Sequence, residues 1–182
     1  MKKQIFFIAT LLIFQNVLSG QTRMIDRSGS ARFYSSAPME DIEATNNSAL
    51  AVIEPATGKV AVSMLIKGFS FEKALMQEHF NENYMESDKF PKASFTGTLD
   101  DSSLIEKQGK FETQVKGQIT LHGVTKDITL PCMLEVSTSE IKVESIFKLV
   151  VADYEIEIPK LVRNNIAKEV EVTVNFKFQR NE

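Results

Sequence analysis

The 182 residues predict an all-β chain, an antiparallel sandwich or barrel of about eight strands with one short helix. Three observations carry that expectation. From residue 92 onward apolar and polar residues alternate with a period of two. The links between the alternating runs are short and polar. One stretch alone, at about 70–82, moves to a period near four.

The alternation can be followed run by run. In "KASFTGTLD", Ala93, Phe95, Gly97 and Leu99 share one face, with Ser94, Thr96 and Thr98 on the other. In "KFETQVKGQITL", Phe111, Thr113, Val115, Gly117, Ile119 and Leu121 oppose Lys110, Glu112, Gln114, Lys116 and Gln118. Successive side chains of a strand point to opposite faces, so each run is a half-buried strand. The pattern continues through Ile128 to Val136, Ile141 to Val151 and Val170 to Phe178. Upstream, "ARFYSS", "ALAVIE" and "KVAVSMLIK" are weaker strands, with a turn at Thr57-Gly58 between the last two.

The exception is "FSFEKALMQEHFNENYM". Phe71, Leu75 and His79 recur at four-residue steps, with Ala74 and Phe80 beside them, and this predicts a helix. Ser70 can cap its start, and Pro91 biases Phe90 away from helix. A bend or second short helix, "PKLVRNNIA", separates the last two strands.

The first 20 residues have the order of a secretory signal peptide: Lys2-Lys3, an apolar run from Ile5 to Phe14, then Ser19-Gly20. The run is too short to span a bilayer, and no cysteine follows it to carry a lipid. The expectation is a periplasmic or secreted protein with residues 21–182 as a single domain, without stable membrane insertion. Losing Lys2 and Lys3 takes the formal charge from −3 to −5. Bases are scattered among acids and form no stripe, which argues against nucleic acid. The single cysteine, Cys132, lies in an apolar run and reads as a buried thiol.

Catalytic chemistry finds little support. Glu78, His79, Glu82 and Glu86 put acids around a histidine, but Glu78 and His79 point about a hundred degrees apart on a helix. An acidic solvated face is the preferred reading over a metal site, and His79 reads as a core or pocket histidine. No phosphate loop, zinc helix or nucleophile elbow is present. The expectation is no catalytic residue, no metal and no cofactor.

The other histidine sits in "ITLHGVTKDITL". A two-residue turn at Gly123-Val124 would set Ile119 opposite Ile128 and His122 opposite Thr125, on the solvent side. There His122 would hold the turn by hydrogen bonding.

The inner face alternates large groups (Phe95, Phe111, Phe147, Phe176, Met64) with small ones (Gly97, Gly117, Thr113, Ser145, Cys132). A closed barrel of about eight strands either fills itself or holds one ligand. Two readings stay open: small residues that leave a cavity, or small residues that only fit the taper of a collapsed, ligand-free structural barrel.

Two stretches carry a family resemblance. "LMQEHFNENYMESDKFPKASFTGTL" and "GQITLHGVTKDITLP", in this order, resemble the YceI-like family of secreted polyisoprenoid-binding proteins, over roughly residues 30–178. The matching features are Glu78-His79, the passage from Phe90-Pro91 to Phe95, and the hairpin Leu121-His122-Gly123-Val124-Thr125-Lys126. The resemblance implies a lipocalin-like antiparallel barrel that holds a long isoprenoid or acyl lipid without catalysis, the helix covering one end. It implies a lid of Phe71, Leu75, Met76, His79 and Phe80 over an interior with Met64, Phe95, Phe111, Phe147 and Phe176. His79, His122, Lys126 or Tyr84 would meet a headgroup at the mouth. Many members pair, which leaves a homodimer open. Two departures stand out. Gln77-Glu78 replaces an Arg-Asp pair common before the helix histidine, and "APMEDIEATNNSALAVIEP" is short and lacks the usual glycine-phenylalanine strand. The second predicts an altered or missing strand in the wall.

Overall fold

The computed structural model describes residues 23–162 and 164–180, so the expected signal peptide lies outside the described residues. The strands are β1 (Met24–Ser36), β2 (Asp41–Glu54), β3 (Lys59–Leu65), β4 (Ser70–Phe71), β5 (Lys92–Leu99), β6 (Gly109–Leu121), β7 (Val124–Val136), β8 (Glu140–Val150) and β9 (Glu169–Gln179). Their order is β1-β9-β8-β7-β6-β5-β3-β2, and β2 returns to pair with β1. Eight antiparallel strands therefore close on themselves, and β4 only adds two residues beside β2. Closure settles the choice between sandwich and barrel, because it leaves no edge strand in the ring.

The period-two alternation is the inside-outside alternation of this wall. Val115 and Ile119 of β6, Leu130, Cys132 and Leu134 of β7, Ile141 and Leu149 of β8, and Phe176 and Phe178 of β9 are all buried. The expected altered strand does not occur. Residues 41–54 of the short N-terminal passage form β2, 14 residues long, which pairs with both β1 and β3 and closes the ring. Asn46 lets it do so. Its amide donates to Leu65 O at 2.9 Å, and its Oδ1 accepts from Ser48 N at the register shift opposite Gly29–Ala31.

The two ends of the barrel differ. At one, a 3-10 turn (Ser102–Glu106) plugs the opening with the fully buried Ile105, whose carbonyl accepts from the Arg180 guanidinium. At the other, three longer connections surround an opening: the β1–β2 turn, the β4–β5 segment with the helix, and the β8–β9 segment.

The helix is shorter than predicted and begins later. α1 runs Ala74–His79 and continues as a π turn, Phe80–Tyr84, in which Met85 N donates to Phe80 O at 2.9 Å. Ser70 does not cap it; Ser70 pairs with Thr45 in β4, and Lys73 precedes the helix without a side-chain cap.

The hairpin turn lies one residue earlier than expected, at His122-Gly123, and Thr120 pairs with Thr125. Both turn residues have positive φ, 50° and 78°, as the type I′ hairpin turn requires. Either register keeps Leu121, Ile128 and Leu130 inside, because a slip by two preserves every face. Alternation could not decide between them. Across the next seam the ladder is short: β7 pairs with β8 only at Met133–Val136. Pro131 offers no N–H to extend it, and the Ser145 hydroxyl donates to Pro131 O at 2.6 Å instead.

Candidate ligand-binding cavity

The barrel encloses a cavity of about 380 Å³. Small-molecule sites fall at roughly 300–1,000 Å³, so the interior has not collapsed onto its own side chains. Met64 of β3, Phe95 of β5, Phe147 of β8 and Phe176 of β9 line its wall, and Phe71, Met76, His79, Phe80 and Tyr84 line it from the lid.

Two expected residues fall elsewhere. Phe111 packs against the core from opposite Leu134 and does not line the space. Leu75 is 61% exposed. The inward face of the lid is Met76-Phe80-Tyr84, rotated by one residue from the Leu75-His79 stripe, because the helix starts only at Ala74 and loosens into a π turn. His79 is exposed, which removes the core half of the expectation, and it borders the cavity at the rim, as the pocket half had it.

Four of the five small inner residues split into two groups, and Thr113, half-buried opposite Cys132, lies outside the cavity lining. Gly97 and Gly117 face each other across β5 and β6, and the Phe95 ring covers them. A Cβ on Gly117 would lie 2.1 Å from Thr96 O and 2.9 Å from Phe95 Cζ. Their missing side chains seat a ring against the sheet and leave no free volume. Cys132 and Ser145 do border the cavity.

Four phenylalanines fasten the lid. Phe80 stacks on Phe33 at 5.4 Å between ring centres and meets Phe71 at 5.0 Å and Phe69 at 5.8 Å. Phe33 and Phe69 also line the cavity and were not singled out in the sequence, nor were Ile156, Ile158, Val162 and Ile166 of the β8–β9 connection. The alternation of "YEIEIP" carried a signal for two of these. Phe33 was legible only as part of a strand.

Polar groups are few. Glu40 lines the mouth, where Lys73 Nζ at 2.9 Å and the Asn165 side chain hold its carboxyl below the usual carboxylate range. Burial pushes the Tyr84 phenol up, so it stays a protonated donor at the cavity wall. Burial also pushes the Cys132 thiol up to about 12, which removes it as a nucleophile near neutral pH.

His122 is buried, not solvent-facing, and it lies outside the cavity lining, as does Lys126. Nδ1 is 3.0 Å from Tyr154 O. A carbonyl can only accept, so Nδ1 carries the proton. Nε2 lies 3.2 Å from Glu86 Oε2 but off the direction of a hydrogen bond, and it has no other partner among the described residues. The ring packs edge-on against Phe90 at 4.5 Å. His122 thus ties the hairpin to the β8–β9 connection. Three non-glycine residues with positive φ, Glu86, His122 and Glu155, meet around this knot. Among the described residues no three His, Cys, Asp or Glu side chains converge as a metal site would require.

The sequence pattern of the YceI-like domain matches residues 25–178. The chain belongs to the YceI-like family. Solved structures agree on the fold. A polyisoprenoid-binding domain from Saccharophagus degradans, implicated in plant cell wall breakdown, superposes with a TM-score of 0.76 at 16% identity, over 87% of this chain and 98% of that one. BcnA from Burkholderia cenocepacia follows at 0.68 and 14%, over 82% and 95%. The YceI protein of Campylobacter jejuni gives 0.58 and 17%, over 74% and 81%. No curated protein matches the chain by sequence. This YceI-like barrel shares the architecture of those proteins at identities that carry fold and not ligand.

Proposed function

We propose that this YceI-like chain binds one long-chain apolar ligand, an isoprenoid or another lipid, inside its barrel, without catalysis. It would act as a carrier, storage or sensing module outside the cytoplasm. The observation that carries the reading is a cavity of about 380 Å³ walled almost wholly by aliphatic and aromatic side chains and open at one end. The proposed contact residues are Met64, Phe71, Met76, His79, Phe80, Tyr84, Phe95, Phe147 and Phe176. A polyisoprenoid-binding domain with this same barrel fold is an example of the architecture serving such a ligand.

The energetics suit such a ligand. Each methylene removed from water gains about 0.8 kcal/mol, so ten give roughly 8 kcal/mol before costs. Lost translational and rotational freedom takes back about 4 kcal/mol or more. Tight binding therefore needs a long chain, and short acyl groups are expected to bind weakly. The Lys2-Lys3 start and the apolar run to Phe14 support export through a cleaved leader.

Mass spectrometry of an organic extract of natively purified protein tests the reading. A lipid recovered in near-equal molar amount is expected, along with uptake of fluorescent prenyl or acyl probes by stripped protein. No extracted lipid and no probe uptake by folded protein would overturn it.

A further inference from the structure

The most exposed large apolar side chains of the described residues are not scattered. Met39 is 72% exposed, Leu75 61% and Leu65 54%, and all three belong to the open end of the barrel. Met39 lies in the β1–β2 turn, and its N–H donates to Asn164 O at 3.0 Å, which fixes that turn to the β8–β9 connection. Its neighbour Glu40 pairs with Lys73 Nζ at 2.9 Å, two residues before Leu75. One ion pair at the cavity mouth therefore holds Met39 and Leu75 on adjoining parts of the rim. The plugged end buries its apolar residue, Ile105, completely.

From this arrangement we infer that the rim docks on the surface of a lipid bilayer, with Met39 and Leu75 as its apolar anchors, so that the ligand passes between membrane and cavity without crossing water. The inference rests on the cavity being a lipid site. A free lipid would lose its apolar shelter on leaving a membrane, at a cost that grows with each methylene exposed. Apolar anchors around the mouth lower that barrier at the place where the lipid must pass. The charges around the mouth favour insertion over electrostatic attraction. Among the exposed, described residues of the three connections at the open end, acids outnumber bases. Glu72, Glu78, Glu155 and Glu157 stand near Lys73, Lys160 and Lys168, so the rim has no excess of positive charge to attract anionic lipid. Docking is accordingly expected on zwitterionic lipid, without a requirement for anionic headgroups.

The test uses purified protein, phosphatidylcholine vesicles and a pyrene-labelled acyl probe. Wild-type protein is expected to cosediment with the vesicles at low and high salt, and to take up probe at a rate that rises with vesicle concentration. The double variant Met39→Glu with Leu75→Glu alters only exposed groups outside the cavity lining. It should lose cosedimentation and slow transfer from vesicles at least tenfold. Its affinity for probe added from ethanol should stay within twofold. Unchanged transfer by the variant would overturn the inference, as would uptake by wild type at a rate independent of vesicle concentration. Transfer that needs an added soluble protein fraction would replace the bilayer by a protein donor. Cosedimentation without any probe uptake would instead sink the lipid-cavity reading and leave docking intact.

Discussion

Replacing His122 with alanine separates a structural role from a binding role, and the structure sets the size of the effect. The imidazole makes one buried hydrogen bond, Nδ1–H to Tyr154 O, and one edge contact with Phe90. The bond contributes about 0.5–1.5 kcal/mol, and its loss also leaves a carbonyl to be satisfied. The aromatic contact adds about 0.5–1.5 kcal/mol. Alanine keeps the Cβ, and with it the left-handed backbone penalty that His122 already carries at a φ of 50°. Together His122→Ala should destabilise the fold by about 1–3 kcal/mol. For a domain of this size each kcal/mol lowers Tm by about 2–4 °C, so a fall of about 2–12 °C is expected in calorimetry. His122→Gly, which relieves the backbone but keeps the other losses, should recover roughly 1 kcal/mol of that. Probe uptake per folded molecule should not change, because His122 does not line the cavity. An alanine variant as stable as the parent but unable to bind lipid would refute this assignment and return the histidine to the ligand site.

Gly117→Ala should be among the most destabilising single-methyl additions. Its Cβ would meet Thr96 O at 2.1 Å and Gly97 Cα at 2.5 Å, both backbone, and a loss of about 1–3 kcal/mol is expected in urea titration. The Cys132 thiol, with its pKa pushed up to about 12, should resist thiol reagents at pH 8 in native protein and react at once in denaturant; native labelling at the rate of a free thiol would show an open wall. Lys73, Arg32, Arg23 and Lys177 hold the carboxyls of Glu40, Glu43, Glu54 and Glu140 below their ordinary values. Each folded value is depressed, so the stability these pairs contribute is present above about pH 4.5 and lost as pH falls through the folded values. Glu43 is exposed and Glu40 and Glu140 are half-buried, while Glu54 is buried beside an exposed Arg23. Salt therefore screens most of these pairs, and the acid transition should move to higher pH in 1 M salt; a salt-independent midpoint would rule these pairs out as its cause.

The strands were legible because a half-buried strand must alternate, whatever surrounds it. Phe95, Val115, Cys132, Phe147 and Phe176 could be assigned inward from their own runs, and most of the cavity wall followed. The hairpin motif around His122 and the Glu78-His79 helix then resembled the YceI-like family strongly enough to specify a barrel. Three things needed the third dimension. Alternation is blind to a slip of two residues, so the His122-Gly123 turn was set by contacts with Phe90 and Tyr154, far off in the chain. A short helix has too few turns for its stripe to fix its rotation, and the phenylalanine cluster around Phe80 placed Met76 inward and Leu75 outward. Whether small inner residues leave space depends on what lies over them. Phe95 fills the gap above Gly97 and Gly117, while Cys132 and Ser145 face an open cavity. Local periodicity determined which residues face inward. Packing between distant segments decided which of those faces meet one another and which meet a ligand.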